Sequence, residues 1–254
     1  MRWRTESRKM NEYSFRIWHH TGLKPSQAKR LRPTPASTDI MATAEKNRSS
    51  RTATRERRRQ QLIDATMKCI GRKGIGGTTL GDVAKEAGLS QGIVNLHFDS
   101  KDNLFRETLR ALADEYRTQF DRALDRSGPS PADKLFALME LDLRPSICQR
   151  NKLAVWFAFW GEVKSRPTYR KICDESDRYY DDIVERLCAD IIADGGYTQA
   201  SASAAALALT SMTNGLWLSC LISPQSWHRH DAMAAVKIYL ANVFPNHFKQ
   251  QEMS

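Results

Sequence analysis

Apolar residues recur with a helical period over most of the chain, and the runs break at glycine and proline. From Arg55 onward Leu62, Thr66, Cys69 and Ile70 follow an i, i+4, i+7, i+8 pattern, widened by Ile63 and Met67 and stopped at Gly74, Gly76 and Gly77. A short second helix is predicted after Thr79, whose hydroxyl caps it while Asp82 stands where the acid of a capping box belongs. Leu80, Val83, Ala84 and Ala87 give that helix its buried face. Gly88 then supplies a sharp turn with positive φ, and Ser90 caps a third helix that runs to about Phe98. Asp99 or Ser100 caps a fourth, which continues through Leu104, Leu109, Leu112 and Tyr116 toward Arg126. Two short helices joined by a tight glycine turn, inside a set of four, make a helix-turn-helix pattern.

After the break at residues 127–131 the helical period resumes. Helices are expected over about 131–144, 148–164, 167–194, 198–222 and 229–243, with Pro145, Pro167, Gly195, Gly196, Pro224 and Pro245 near their ends. No strand pattern appears, so the fold class is all-α: an N-terminal helix-turn-helix domain followed by a larger helical domain. Residues 1–50 carry Pro25, Pro33 and Pro35, many Ser and Thr and no apolar period. They are expected to form a disordered basic arm ending near residue 53, ahead of a helix-turn-helix domain over 54–103 and a ligand-binding and dimerisation domain over 104–248.

Charge sharpens this division. The chain of 254 residues has a formal charge of +10, yet residues 1–59 hold 16 Lys/Arg against 5 Asp/Glu, while the rest hold 23 against 24. The basicity therefore belongs to the arm, which suits a polyanion such as nucleic acid, although a solvated tail has the same composition. Five cysteines, without a C-x-x-C pair, argue against a disulfide framework or a structural zinc site and fit a reducing cytoplasm. No apolar signal segment opens the chain. Between Asp194 and Arg229 no charged residue occurs, which is enough length to cross a bilayer, but Ser and Thr interrupt the stretch throughout. A soluble helical interface is expected there, with no membrane partner.

The run Thr78-Thr79-Leu80-Gly81-Asp82-Val83-Ala84-Lys85-Glu86-Ala87-Gly88-Leu89-Ser90, continuing to Phe98 and Lys101, resembles the DNA-binding region of TetR-family repressors. The residue types make chemical sense independently. A helix entering the major groove needs small or polar residues near its start, and Ser90, Gln91, Gly92 and Asn95 meet that need. Gln91 and Asn95 have the amide geometry that pairs bidentately with adenine, and Ser90 with the free amides beside it suits a phosphate. The resemblance implies that Thr78, Thr79 and Lys101 grip the DNA backbone. It also puts His97 where many family members carry a tyrosine; a histidine there donates the same bond to phosphate, or stands on the surface without a role. Leu96 is expected to be exposed or lightly packed, within reach of a thymine methyl.

The second half of the chain is similar to the choline-responsive repressors of glycine betaine synthesis within this family. The similar segments are Leu153-Ala154-Val155-Trp156-Phe157-Ala158-Phe159-Trp160, Pro167-Thr168-Tyr169-Arg170 and Asn214-Gly215-Leu216-Trp217-Leu218. Trp156, Phe159 and Trp160 share one helix face, and Trp217 is placed to close over them. Such a stripe is more often the mark of a helical core, but ring faces around a cavity also attract quaternary ammonium ions. The resemblance favours the second reading and implies a homodimeric repressor on a double-stranded palindromic operator, with choline or a relative as effector. Asp142, Glu162 and Asp174 are candidate acids for that site. Leu209, Met212, Leu216 and Cys220 form the apolar stripe assigned to an intersubunit four-helix contact with residues 229–243. His228 and His230 lack the further ligands of a metal site. No catalytic constellation and no cofactor motif stands out, so no enzymatic activity is expected.

Overall fold

The computed structural model describes residues 35–249, with side chains from 52 onward. Nine helices occur among the described residues, and no strand: α1 (Pro35–Gly77), α2 (Leu80–Ala87), α3 (Gln91–His97), α4 (Lys101–Arg126), α5 (Pro131–Asp142), α6 (Arg150–Glu162), α7 (Pro167–Gly195), α8 (Ala202–Ile222) and α9 (Arg229–Val243). The chain divides into two compact units after Thr54. The first belongs largely to the sequence-predicted arm. Residues 35–53, expected to be irregular, are helical instead, because Pro35 stands at the permissive first position and strong helix formers such as Ala42, Ala44, Glu45 and Lys46 follow it. The arm's remaining residues, 1–34, lie outside the described residues.

Within the second unit, the part of α1 beyond Arg55 packs Leu62, Ile63, Cys69 and Ile70 against Val83, Ala84, Val94 and Phe98 of the next helices and Leu104, Phe105 and Leu109 of α4. Gly74 (φ 69°, ψ 175°) is non-helical and interrupts α1 as the sequence predicts, and only a short further turn runs on to Gly77. Gly88 adopts the left-handed conformation (φ 62°) that ends α2 and swings the chain into α3. Ser100, not Asp99, caps α4, its hydroxyl accepting from the Asn103 amide. Arg72 pairs with Glu86 at 2.5 Å and Lys73 with Asp82 at 2.5 Å, tying α1 to α2.

The larger set of helices is built on α7 and α8, which pack on one another, with α4, α5 and α6 around them and α9 against α8. α4 runs unbroken from the helix-turn-helix into this body, so the boundary expected at 103/104 falls inside a helix. α8 is long and apolar enough to cross a membrane, but one side of it, Ala205, Leu209, Thr213, Trp217 and Cys220, is buried in the body. The stripe expected to face a second subunit is therefore misassigned: Leu209 and Cys220 are core, and Met212 and Leu216 are only half-buried. The exposed apolar residues of α8 are Leu207, Leu218 and Ile222, joined by Ile238 of α9. Periodicity could not separate these faces because α8 is apolar nearly all round.

Candidate DNA-reading face and ligand cavity

α3 is seven residues long and is anchored by Val94, which is wholly buried, and by Phe98 just beyond it. That anchorage turns Gln91, Gly92, Asn95 and Leu96 outward, with Leu96 71% exposed. A large apolar side chain left in water on a polar helix face is what contact with a thymine methyl requires. A Cβ added to Gly92 would meet only the Ser90 hydroxyl, at 3.8 Å, so the fold itself does not demand glycine there. Ser90 has the extended backbone of a cap, but its hydroxyl makes no capping bond, which leaves it free for another partner.

The other expected phosphate contacts divide. Thr78 does not serve as placed: it is fully buried and its hydroxyl donates to the Gly74 carbonyl at 2.8 Å, so it closes the bend of α1. Thr79 is exposed but its hydroxyl is committed to Asp82, accepting from the Asp82 amide (3.1 Å) and donating to the carboxylate (2.8 Å). Lys101 opens α4 with its ammonium 5.2 Å from the Phe105 ring centre. His97 is half-buried, and burial followed by the charges of Arg55 and Arg59 lowers its pKa below the ordinary imidazole value. Arg55 and Arg59, with Arg58 more weakly, thus stand near the end of α3, a placement that counting charge along the sequence could not reveal.

A cavity of about 260 Å³ lies in the helical body. Tyr116 and Phe120 line it from α4, Met139 and Asp142 from α5, and Trp156 and Trp160 from α6. Asp177, Tyr180, Asp181 and Val184 line it from α7, and Trp217 closes the α8 side with Leu207, Thr210, Ser211, Thr213 and Asn214. Tyr116 meets Tyr180 edge-on at 4.8 Å and Trp217 edge-on at 5.8 Å. The cavity lining contains no lysine or arginine.

Asp142 is the buried acid of the cavity, 7% exposed. Tyr116 donates to its Oδ1 at 2.5 Å, and its backbone carbonyl accepts from the Trp217 indole N–H at 2.7 Å and from the Cys148 thiol at 3.2 Å. Burial pushes its pKa up to about 7, although the bonds from Tyr116 and Thr213 pull the other way. Toward the opening, desolvation and then the like charges of Asp181 and Asp174 raise Asp177 to about 6, even though that residue is largely exposed.

Both the helix-turn-helix region and the helical body match known protein families. Residues 62–108 match the model of the bacterial regulatory proteins of the tetR family, and residues 131–245 match that of the BetI-type transcriptional repressor C-terminal domain. The HTH-type transcriptional regulator BetI of Paraburkholderia xenovorans is 31% identical over 186 residues, covering 73% of this chain and 93% of that protein. The chain belongs to the tetR family. As a tetR-family member it is a BetI-type transcriptional regulator and not an enzyme. Among solved structures, a transcriptional regulator of Pseudomonas aeruginosa PAO1 superposes with a TM-score of 0.68 at 26% identity, covering 76% of this chain and 95% of that one. A regulator of Saccharomonospora viridis, solved in complex with choline, shares the fold at a TM-score of 0.63 and 21% identity, covering 72% of this chain and 94% of that one.

Within the tetR-family frame, three of the four expected cage residues meet: Trp156, Trp160 and Trp217 line the cavity. Phe159 does not. It is fully buried on another part of α6, edge-on to Tyr169 at 5.1 Å, because a residue at i+3 from Trp156 points far enough round the helix to enter the core instead. Of the candidate acids only Asp142 lines the site; Glu162 pairs with Arg166, and Asp174 is exposed outside the lining. Tyr116, Tyr180, Asp177 and Asp181 were missed. Tyr116 looks like one more member of the α4 core stripe, but Asp177, Tyr180, Asp181 and Val184 fall at i, i+3, i+4, i+7, a mixed acidic and aromatic face that could have marked a site. His228 precedes α9 at the N-cap position without a side-chain capping bond, and His230 is exposed beside Asp231. Among the described residues no group of three or more potential metal ligands occurs.

Proposed function

We propose that the chain is a cytoplasmic homodimeric repressor whose two α3 helices read a palindromic operator and whose body is switched by a small quaternary ammonium ion, with choline the leading candidate. The observation that carries the effector reading is the cavity itself: aromatic edges and faces, one enclosed carboxylate and no lining cation. A quaternary ammonium ion has no N–H to donate, so ring faces and a nearby negative charge are what distinguish it from water. The BetI-type relatives and the choline held by a regulator of the same fold support this choice.

The head, residues 54–103, and the body, 104–248, share α4, which touches both the helix-turn-helix core and the cavity through Tyr116 and Phe120. A guest that shifts α4 changes how the heads are presented, provided it binds the DNA-incompetent state more tightly, by about 1–3 kcal/mol. In this reading Ser90, Gln91, Gly92, Asn95 and Leu96 meet base edges and the nearest phosphate, while His97, Lys101 and the neighbouring Arg55 and Arg58 hold the backbone. Leu207, Leu218, Ile222 and Ile238 supply the apolar surface of the dimer.

The test is an operator gel shift with DNA selected from a random pool by the full chain, titrated with choline while tryptophan emission is followed. Release of DNA by roughly 5- to 150-fold in affinity, with a shift in emission, is the expected result. DNA affinity and emission that both stay constant at saturating choline would remove choline from the proposal.

A further inference from the structure

Asp142 carries more than a cage requires. Its carboxyl is enclosed among rings, and the groups facing it include no cation. From α4 it meets the Tyr116 hydroxyl and from α8 the Thr213 hydroxyl. α6 presents only the indoles of Trp156 and Trp160 to the cavity, and α7 presents Asp177, Tyr180 and Asp181, which add negative charge or a phenol. The Cys148 thiol lies on the backbone side of Asp142. Arg229, at the start of α9, is committed to the Leu143 carbonyl at 2.9 Å and to Glu140.

An ionised carboxyl in such a place is a buried charge without a counterion, and it is stabilised either by a proton or by a positive guest. We propose that Asp142 sets the class of guest: it holds a proton while the cavity is empty and surrenders that proton to bulk water when a permanent cation enters, whereas a zwitterion bringing its own carboxylate is turned away. This inference rests on the reading of the cavity as an ammonium site. Burial, which lifts the Asp142 carboxyl to about 7, puts the exchange within the ordinary range of cytoplasmic pH. Cation affinity then rises with pH up to about 7 and levels off above it, because only the ionised carboxyl receives the guest.

The experiment is calorimetry on the full chain with choline chloride, tetramethylammonium chloride and trimethylglycine, at pH 6, 8 and 9, in paired buffers of different protonation enthalpy. Release of nearly one proton per cation at pH 6, almost none at pH 9, and about tenfold tighter cation binding at pH 8 than at pH 6 are expected. Trimethylglycine should bind at least tenfold more weakly than choline at pH 8. Asp142→Asn should remove most of the proton release and flatten the profile, while Glu162→Gln, outside the lining, keeps both. Tyr116→Phe removes a bond that favours the ionised form, so the midpoint should move to higher pH; this variant decides the matter if Asp142→Asn does not fold. Cation binding at pH 6 without proton release, an unmoved midpoint in Tyr116→Phe, or trimethylglycine binding as tightly as choline overturns the inference and leaves the ammonium site standing. Failure of both cations to bind at pH 8 overturns the site and the inference together.

Discussion

Two residues show how much a single side chain decides here. Asp142 has a pKa raised from 3.8 to about 7 in the folded chain, so the native state holds its proton more tightly than the unfolded state does. Its stabilising effect is fully present below about pH 4 and is lost as pH rises toward and through 7. The span corresponds to roughly 4 kcal/mol at most. Asp142→Asn is therefore expected to melt about 5 °C or more above the parent at pH 8 in the absence of ligand, with the difference shrinking or reversing at pH 4. Thermal denaturation at the two pH values measures this, and a constant difference would contradict it. Gly92 makes the opposite kind of case. Since a methyl group fits within the protein, Gly92→Ala should fold with unchanged melting temperature yet bind operator DNA about tenfold or more weakly, through the loss of close approach to the groove.

Individual helices draw their stability from different sources. α2, eight residues long, has a complete capping box between Thr79 and Asp82, and Lys73 reaches the same carboxylate. Thr79→Ala should cost about 1 kcal/mol and lower the melting temperature by a few degrees, read by circular dichroism. The hydrogen bonding of Thr79 is spent on the helix itself, so that loss should track stability more closely than operator contacts. α3 has no side-chain cap and only seven residues, too few to persist alone, and depends on Val94 and Phe98 being packed. The caps at Thr79 and Ser100, the glycine turn at Gly88 and the helix types were legible in the sequence, because each is a local interaction between residues at most a few positions apart, whereas the cap expected from Ser90 is not made. The stretch 35–53 shows the limit: prolines and serines suggested an irregular arm, whereas the propensity of the intervening residues made a helix.

For the molecule as a whole, the proposed pairing of two heads rests on the exposed apolar residues of α8 and α9. Leu207, Leu218 and Ile222 recur on one face of α8, and in the proposed dimer a second copy covers them. A two-fold pair of the proposed kind would space its α3 helices about 34–36 Å apart, one turn of duplex, and so would call for a palindromic operator. Leu218→Asp combined with Ile222→Asp is expected to leave helicity intact, shift the chain to monomers in sedimentation velocity and reduce operator affinity by at least a hundredfold. Dimers persisting at micromolar concentration would place the interface elsewhere.

The order of helices, the turn at Gly88 and the outward set Gln91, Gly92 and Asn95 were determined by the sequence alone, since each follows from spacing along one short stretch and from local hydrogen-bond chemistry. Only the tertiary structure decided that Thr78 and Phe159 are internal, that Asp142 and Tyr116 meet across 26 residues, and which side of α8 faces water. Those outcomes depend on which faces pack together. When a helix is apolar nearly all round, or when an acid and a phenol lie on separate helices, nothing in the linear order of residues encodes the meeting.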